Sequence, residues 1–256
     1  MKPLTNDFDF DQYFARLRSA EMRALLLDYD GTLAPFHVDP RRAMPYPEVA
    51  EVLRHVAASR GTRIVIVSGR RLEDLRGPLA ILPHAEVWAS HGWEWSASGH
   101  SDRHVPAQAA REALVRARAL VQPLLTVGAR LETKIASLAL HWRGLRATES
   151  LRLHSAALEA WEPFEGTELA LMPFDGGLEI RARGHDKGDA VRAVMSTSPG
   201  AVAAYLGDDM PDEDAFRAIR RHGLGVLVRK ERRLTNARLW LSNPAEVTAF
   251  LERWVR

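Results

Sequence analysis

The feature that most constrains this chain is a set of short, unbroken apolar runs, each ending abruptly in acidic, hydroxyl or glycine residues. The first is Leu25-Leu26-Leu27, followed by Asp28-Tyr29-Asp30-Gly31-Thr32. Residues 64–67 (IVIV) run into Ser68-Gly69-Arg70, and residues 202–206 (VAAYL) run into Gly207-Asp208-Asp209. An apolar run of this length without alternation is the pattern of a strand covered on both faces, as in a parallel sheet. Between the first two runs, Val49, Val52, Leu53 and Val56 recur at helical spacing, and Gly61 is placed to end that helix. Strand, helix, strand is a βαβ unit, whose right-handed crossover brings both strand ends to one sheet edge. Open α/β sheets take their ligands at that edge. Residues 70–75 read as a helix behind Ser68. Residues 87–95 (VWASHGWEW) read as a strand entering a turn at His91-Gly92, and residues 223–228 (GLGVLV) as the last apolar strand. A closing helix begins near Asn243, with Val247, Phe250, Leu251 and Trp254 facing the core.

The pattern changes from about His104. An amphipathic helix carries Ala110, Ala113, Leu114, Ala117, Leu120 and Val121 on one side, and two short alternating strands follow, joined near Ala136. A second helix spans residues 147–161, and a hairpin turns at Asp175-Gly176-Gly177. Helix, two strands, helix, two strands is a compact α+β unit set between βαβ elements. The expected fold is therefore α/β: a Rossmann-like parallel-sheet core, residues 1–103 and 183–256, with an α+β cap, residues 104–182, inserted into it.

Charge at the strand ends points to chemistry. Asp28 and Asp30 repel each other, and Asp208 with Asp209 adds a second acidic pair at the same edge. Taken singly, such aspartates cap turns or helix starts, and Glu213 and Asp214 are read that way. Four carboxylates at one edge need a counter-charge. A hard divalent cation with oxygen ligands supplies it, and Mg²⁺ suits a few carboxylates plus water and phosphate. Lys187 opens a helix, where a cation is slightly unfavourable, so a specific anionic partner explains it better than an exposed surface position. The Ser68 hydroxyl and the backbone N–H groups around Gly69 suit phosphate oxygens. His91 reads as a packed, hydrogen-bonded side chain.

The strings DYDGTL, SGR, DKG and GDDMPDED occur in the order of the four motifs of the haloacid-dehalogenase (HAD) superfamily of phosphatases, which this chain resembles. Within that superfamily it is similar to the trehalose-6-phosphate phosphatase family, on DYDGTLAP, SGR, SHG, ETK, HWR, LEIR with DKG, and GDDMPDEDAF. The resemblance implies that Asp28 is the nucleophile, passing through a phospho-aspartate, and that Asp30 is the general acid and base. It implies Mg²⁺ held by Asp28, the main-chain carbonyl of Asp30, and Asp208, with Asp209 and Asp212 orienting its waters. Ser68, Gly69 and Lys187 would bind phosphate. Glu132, Lys134, His141, Arg143 and Glu179, in the inserted unit, would read the disaccharide. Pro211 departs from the family, which usually has threonine there. The implied reaction is hydrolysis of trehalose 6-phosphate. The alternatives are another sugar phosphate, such as sucrose phosphate or a glucosylglycerate phosphate, a phosphomutase, and a phospho-acceptor regulatory module.

Composition narrows the partners. There is no cysteine, which excludes disulfides and thiol chemistry. The 35 Lys+Arg nearly balance 33 Asp+Glu, and the arginines are scattered, so no nucleic-acid footprint is expected. No apolar run approaches the ~20 residues of a membrane span, and the start lacks the basic-then-apolar order of a signal peptide. The expectation is a cytoplasmic monomer that binds a small sugar phosphate and no membrane.

Overall fold

The apolar runs become strands, and the amphipathic segments become the helices that cover them. The structure is a computed structural model that describes residues 1–6, 8–37, 39, 42–125 and 128–255. In chain order it begins with β1 (Lys2–Pro3), α1 (Phe10–Ser19), β2 (Arg23–Leu27), α2 (Pro47–Ala58), β3 (Thr62–Val67), α3 (Leu72–Leu75), β4 (Glu86–Ala89), β5 (Glu94–Ala97) and β6 (His100–Arg103). Then come α4 (Gln108–Val121), β7 (Arg130–Thr133), β8 (Ser137–His141), α5 (Ala147–Trp161), β9 (Leu169–Phe174) and β10 (Gly177–Ala182). The chain closes with α6 (Lys187–Ser196), β11 (Val202–Gly207), α7 (Asp212–Ile219), β12 (Gly223–Val228), β13 (Leu239–Leu241) and α8 (Pro244–Val255).

Two compact units result. One comprises Met1–Asp102 with Asp186–Arg256, and the other Arg103–His185. The sequence reading had set the insertion at 104–182, a few residues short at its C-terminal end. The larger unit holds a nine-stranded sheet in the order β1-β13-β12-β11-β2-β3-β4-β5-β6. The six strands from β13 to β4 run parallel, and β1 and β5 join antiparallel. Odd and even positions of β2 part to opposite faces. Leu25 and Leu27 pack with α1, α2 and α8, including Phe14, Leu53, Phe250 and Trp254. Ala24 and Leu26 pack with Val191 and Val194 of α6 and Phe216 of α7. The result is three layers with β11, β2 and β3 central, covered on both faces as their unbroken apolar character requires.

Three expectations need correction. The helix read over residues 70–75 is confined to Leu72–Leu75. Helix α2 ends at Ala58, with Ser59 as its C-cap, so Gly61 lies two residues beyond the cap and does not itself end the helix. There Gly61 takes φ 79°, and a Cβ would fall 2.4 Å from the Glu21 carbonyl. The strand β13 follows β12, which had been read as the last. Residues 35–47, whose proline and charge read as a loop over the end of β2, lie partly outside the described residues.

The smaller unit has its own core. A four-stranded antiparallel sheet, β7-β8-β10-β9, carries Leu138, Leu140, Leu178 and Ile180 on its buried face. Helices α4 and α5 supply Ala113, Ala117, Leu153 and Trp161, and the Trp161 indole donates to the Ala117 carbonyl at 3.0 Å. Among the described residues no helix is long and apolar enough to cross a membrane.

Candidate active site

Because β11, β2 and β3 are parallel neighbours in register, Asp208, Asp28 and Ser68, each the first residue after its strand, stand side by side at one sheet edge. All three are buried. Lys187 reaches them from the first position of α6, whose start is fixed by a reciprocal capping box between Asp186 and Asp189. The Lys187 ammonium donates to Asp28 Oδ1 and to Asp212 Oδ1, both at 2.7 Å. The sequence reading asked for an anionic partner at this helix start, and the structure supplies two.

Asp212 is the hub of the pocket, a part that sequence reasoning did not give it. Its Oδ1 also accepts from the Tyr205 hydroxyl at 2.6 Å, and its Oδ2 accepts the N–H groups of Asp208 (3.0 Å) and Asp209 (2.9 Å). Four donors therefore meet on this one buried carboxylate. Burial pushes the Asp212 carboxyl up, but Lys187 and these donors outweigh it and hold it below the ordinary carboxylate range. The opposite holds for its neighbours. Burial, opposed by Lys187, raises Asp28 to about 7. Burial and the adjacent Asp28 and Asp212 charges push Asp208 well above its usual value.

Ligand oxygens of Asp28, Asp208 and Asp212 lie within 4.8 Å of one another. Three ionised carboxylates against one ammonium would leave two uncompensated negative charges in a buried pocket, a cost of several kcal/mol per ion that shows as the raised Asp28 and Asp208 carboxyls. Among the described residues no donor reaches the Asp208 carboxylate. Gly31 keeps the approach open: at φ 79° it carries no side chain where a Cβ would fall 2.2 Å from Asp208 Oδ2. An all-oxygen donor set with a charge deficit of two fits a hard divalent cation. Asp212, read from the sequence as orienting the cation's waters, stands in this side-chain cluster beside Asp28 and Asp208.

Asp30 points elsewhere. Arg70 grips it with a two-pronged fork, Nε to Oδ2 and Nη2 to Oδ1, both at 2.6 Å. The guanidinium also stacks over the Tyr29 ring at 4.8 Å. The sequence reading gave Asp30 anionic neighbours; its immediate charged neighbour is instead this cation. Arg70 was visible as part of SGR, but its partner forty residues away was not. Ser68 Oγ accepts the Arg70 N–H at 3.2 Å. Asp209 Oδ1 accepts the following Met210 N–H at 2.9 Å, so Asp209 shapes the loop.

The smaller unit gathers the remaining candidates on the polar face of its sheet. Glu132, Ala139 and Glu179 are register neighbours across β7, β8 and β10, and therefore share a face. Glu132 accepts from or shares a proton with His141 Nε2 at 2.8 Å, with Arg130 at 3.6 Å. Lys134 Nζ (2.9 Å) and Ser137 Oγ (2.7 Å) both donate to Glu179 Oε1. Burial opposes ionisation of Glu132, yet His141, Lys134 and Arg130 together hold it down at about 2. Burial lowers His141, against the pull of Glu132. Arg143 stands apart, beyond the end of β8, paired with Asp175 across the hairpin turn.

The fold and this constellation can be compared with known proteins. Residues 26–244 match the trehalose-phosphatase family model. The chain belongs to the trehalose-phosphatase family. It is 33% identical over 252 residues to trehalose-phosphate phosphatase B of Arabidopsis thaliana, covering 90% of this chain and 66% of that protein. This trehalose-phosphatase chain also superposes on the C-terminal domain of trehalose-6-phosphate phosphatase from C. albicans with a TM-score of 0.84. That match has 19% identity and covers 100% of this chain and 99% of the other. A haloacid dehalogenase-like hydrolase from Bacteroides thetaiotaomicron matches with a TM-score of 0.66 and 15% identity, covering 91% of this chain and 99% of that one. The two structural matches show the fold: the trehalose-phosphatase chain has the α/β architecture of HAD-like hydrolases.

Proposed function

We propose that this protein is a Mg²⁺-dependent phosphatase that hydrolyses trehalose 6-phosphate to trehalose and phosphate through a phospho-aspartate on Asp28. The observation that carries the reading is the buried Asp28–Lys187–Asp212 relay at a parallel-sheet edge, in a chain of the trehalose-phosphatase family. Asp28, the Asp30 carbonyl and Asp208 would hold the cation, with Asp212 orienting its waters. When bound, Mg²⁺ neutralises the phosphate and screens it from the anionic pocket.

Lys187 holds one oxygen of Asp28 and keeps the carboxylate oriented for attack. An Asp28 oxygen bonds to phosphorus as the bond from phosphorus to the sugar oxygen breaks. The leaving oxygen takes a proton from Asp30. A water then attacks the same phosphorus, Asp30 takes its proton, and the Asp28–phosphorus bond breaks to release phosphate. With both oxygens on the Arg70 fork, Asp30 is arranged as the base of this second step. To act as the acid it must take up a proton and give up one of the two bonds to Arg70. Ser68, the N–H groups near Gly69, and Lys187 would receive phosphate oxygens.

The test is phosphate release from trehalose 6-phosphate, sucrose 6-phosphate, a glucosylglycerate phosphate and p-nitrophenyl phosphate, with Mg²⁺ and with EDTA. Trehalose 6-phosphate should be turned over fastest, and only with metal. Asp28→Asn, near-isosteric and relieved of repulsion, should fold and lose about four orders of magnitude or more in kcat. A folded Asp28→Asn enzyme with half the activity removes the nucleophile. No release from any substrate favours the phospho-acceptor module.

A further inference from the structure

Four adjacent parallel strands, β11, β2, β3 and β4, end at the site's edge. The first three deliver Asp208, Asp28 and Ser68. The fourth delivers Ser90-His91-Gly92, a string to which the reaction above gives no task. Its backbone is costly. Ser90 (φ 50°) and His91 (φ 57°) are both left-handed, and Gly92 follows at φ 98°. Left-handed geometry crowds the Cβ of a non-glycine residue against the backbone and is disfavoured. Such strain survives only where the surroundings over-determine it, and it clusters at functional sites.

The strained turn is spent on the Ser68-Gly69-Arg70 loop. The Ser90 N–H donates to the Arg70 carbonyl at 2.7 Å, and the His91 N–H donates to the Ser68 carbonyl at 3.0 Å. These two carbonyls flank Gly69. The buried His91 ring lies directly over Gly69, where a Cβ would fall 2.6 Å from its Cε1 and 2.7 Å from its Nε2. Behind the turn, Glu94 Oε2 accepts the Ser90 hydroxyl at 2.6 Å and the Leu72 N–H at 3.3 Å. The loop is thus held by its carbonyls at both ends and covered at its centre. No alternation of apolar residues in a core requires two consecutive left-handed residues; delivering two N–H groups to one three-residue loop does.

We infer that His91 is a positioning residue. With Ser90 it sets the shape of residues 68–70, and so places both the phosphate-binding N–H groups and the Arg70 fork that orients Asp30. This rests on the reading of Ser68, Arg70 and Asp30 given above.

His91→Gly isolates the ring's contribution, because glycine adopts φ 57° without penalty and both backbone donors remain. His91→Asn also tolerates the left-handed region and restores part of the volume over Gly69. For His91→Gly, kcat on trehalose 6-phosphate should fall about 10- to 100-fold, the scale of a misplaced catalytic geometry. Inhibition by inorganic phosphate should weaken about tenfold, the effect of one lost or misaligned hydrogen bond. The thermal midpoint should stay within about 5 °C of the parent, since relieved strain offsets lost burial. His91→Asn should recover part of both losses, and it carries the test if the glycine variant does not fold. Unchanged kcat and phosphate inhibition in a folded variant overturn the inference, as do losses that merely track thermal stability. Ser68→Ala separates the two levels. If Ser68→Ala is impaired and His91→Gly is not, only the brace fails; if Ser68→Ala is fully active, the reading of the phosphate loop fails with it.

Discussion

Asp28 and Asp212 share one ammonium while the Asp208 carboxylate beside them has no donor among the described residues, and that imbalance makes the protein's stability depend on pH and metal together. Asp28 titrates at about 7 in the folded chain because burial outweighs Lys187, against about 3.9 for an unfolded aspartate. A raised carboxyl binds its proton more tightly when folded. Its contribution to stability is therefore complete below about pH 4 and is lost as pH rises through 7. Asp208 moves in the same direction. Two groups work oppositely: Glu132 loses its contribution as pH falls from about 4.5 toward 2, outside that window, and His141, lowered by burial, opposes the two raised aspartates in the lower part of the window but is outnumbered by them. Without metal, the thermal midpoint should fall between pH 5.5 and 8. Saturating Mg²⁺ should restore it at pH 8, by about 2.7 kcal/mol at a hundred times Kd, and do much less at pH 5.5, where protons occupy the pocket. Thermal unfolding in EDTA and in Mg²⁺ at the two pH values checks this; an equal Mg²⁺ effect at both sinks it. Asp28 and Asp208 were legible in the sequence because charges directly after apolar runs need partners, and Lys187 because a cation at a helix start does. Tyr205 was not, because a tyrosine inside AVAAYL reads as core, and only the folded chain shows its hydroxyl on Asp212.

The segment from β11 through its loop into α7 shows how an element turns a strand end into a site. Gly207, the last residue of β11, leaves room for Asp212, which curls back from the first turn of α7. A Cβ on Gly207 would fall 2.4 Å from Asp212 Cγ and 2.7 Å from its Cβ. Asp212 cannot swing aside cheaply, since Lys187, Tyr205 and two backbone N–H groups hold it. Gly207→Ala should therefore break that hub, with a loss of about 100-fold or more in kcat and about 2–4 kcal/mol of stability. Steady-state kinetics and urea denaturation measure both, and a variant with parental kinetics refutes the packing argument. The parallel strands and their crossover helices were readable because burial on both faces writes an unbroken apolar run. The edges were not. β13 is three residues long, β1 is two, and β5 and β6 are short polar strands without a period to detect. The α6 and α8 starts were readable from their caps, and the structure shows Asp186 accepting the Asp189 N–H and Asn243 accepting the Glu246 N–H.

At the scale of the whole molecule, sequence periodicity changes near His104, close to where the second compact unit, Arg103–His185, begins. The pairings inside it could not be seen, because they depend on cross-strand register. The chemistry described above resides in the larger unit, and the polar sheet face of the smaller one carries side chains already matched to each other. Were a sugar to bind this face, partners would exchange: a hydroxyl would donate to Glu132 while His141 kept the carboxylate oriented. If that face reads the sugar, its loss is specific to substrates that carry one. Glu132→Ala should lower kcat/KM for trehalose 6-phosphate by about 10- to 100-fold, the worth of one charge-assisted hydrogen bond. It should leave p-nitrophenyl phosphate within about threefold of the parent, because the nucleophile and its partners are untouched. Glu132→Gln keeps the side-chain volume and should fall between the two. Equal losses on both substrates would mean that Glu132 supports the fold rather than recognition. Thermal unfolding of the same two variants tells those outcomes apart, since a structural loss lowers the midpoint in step with activity and a recognition loss does not.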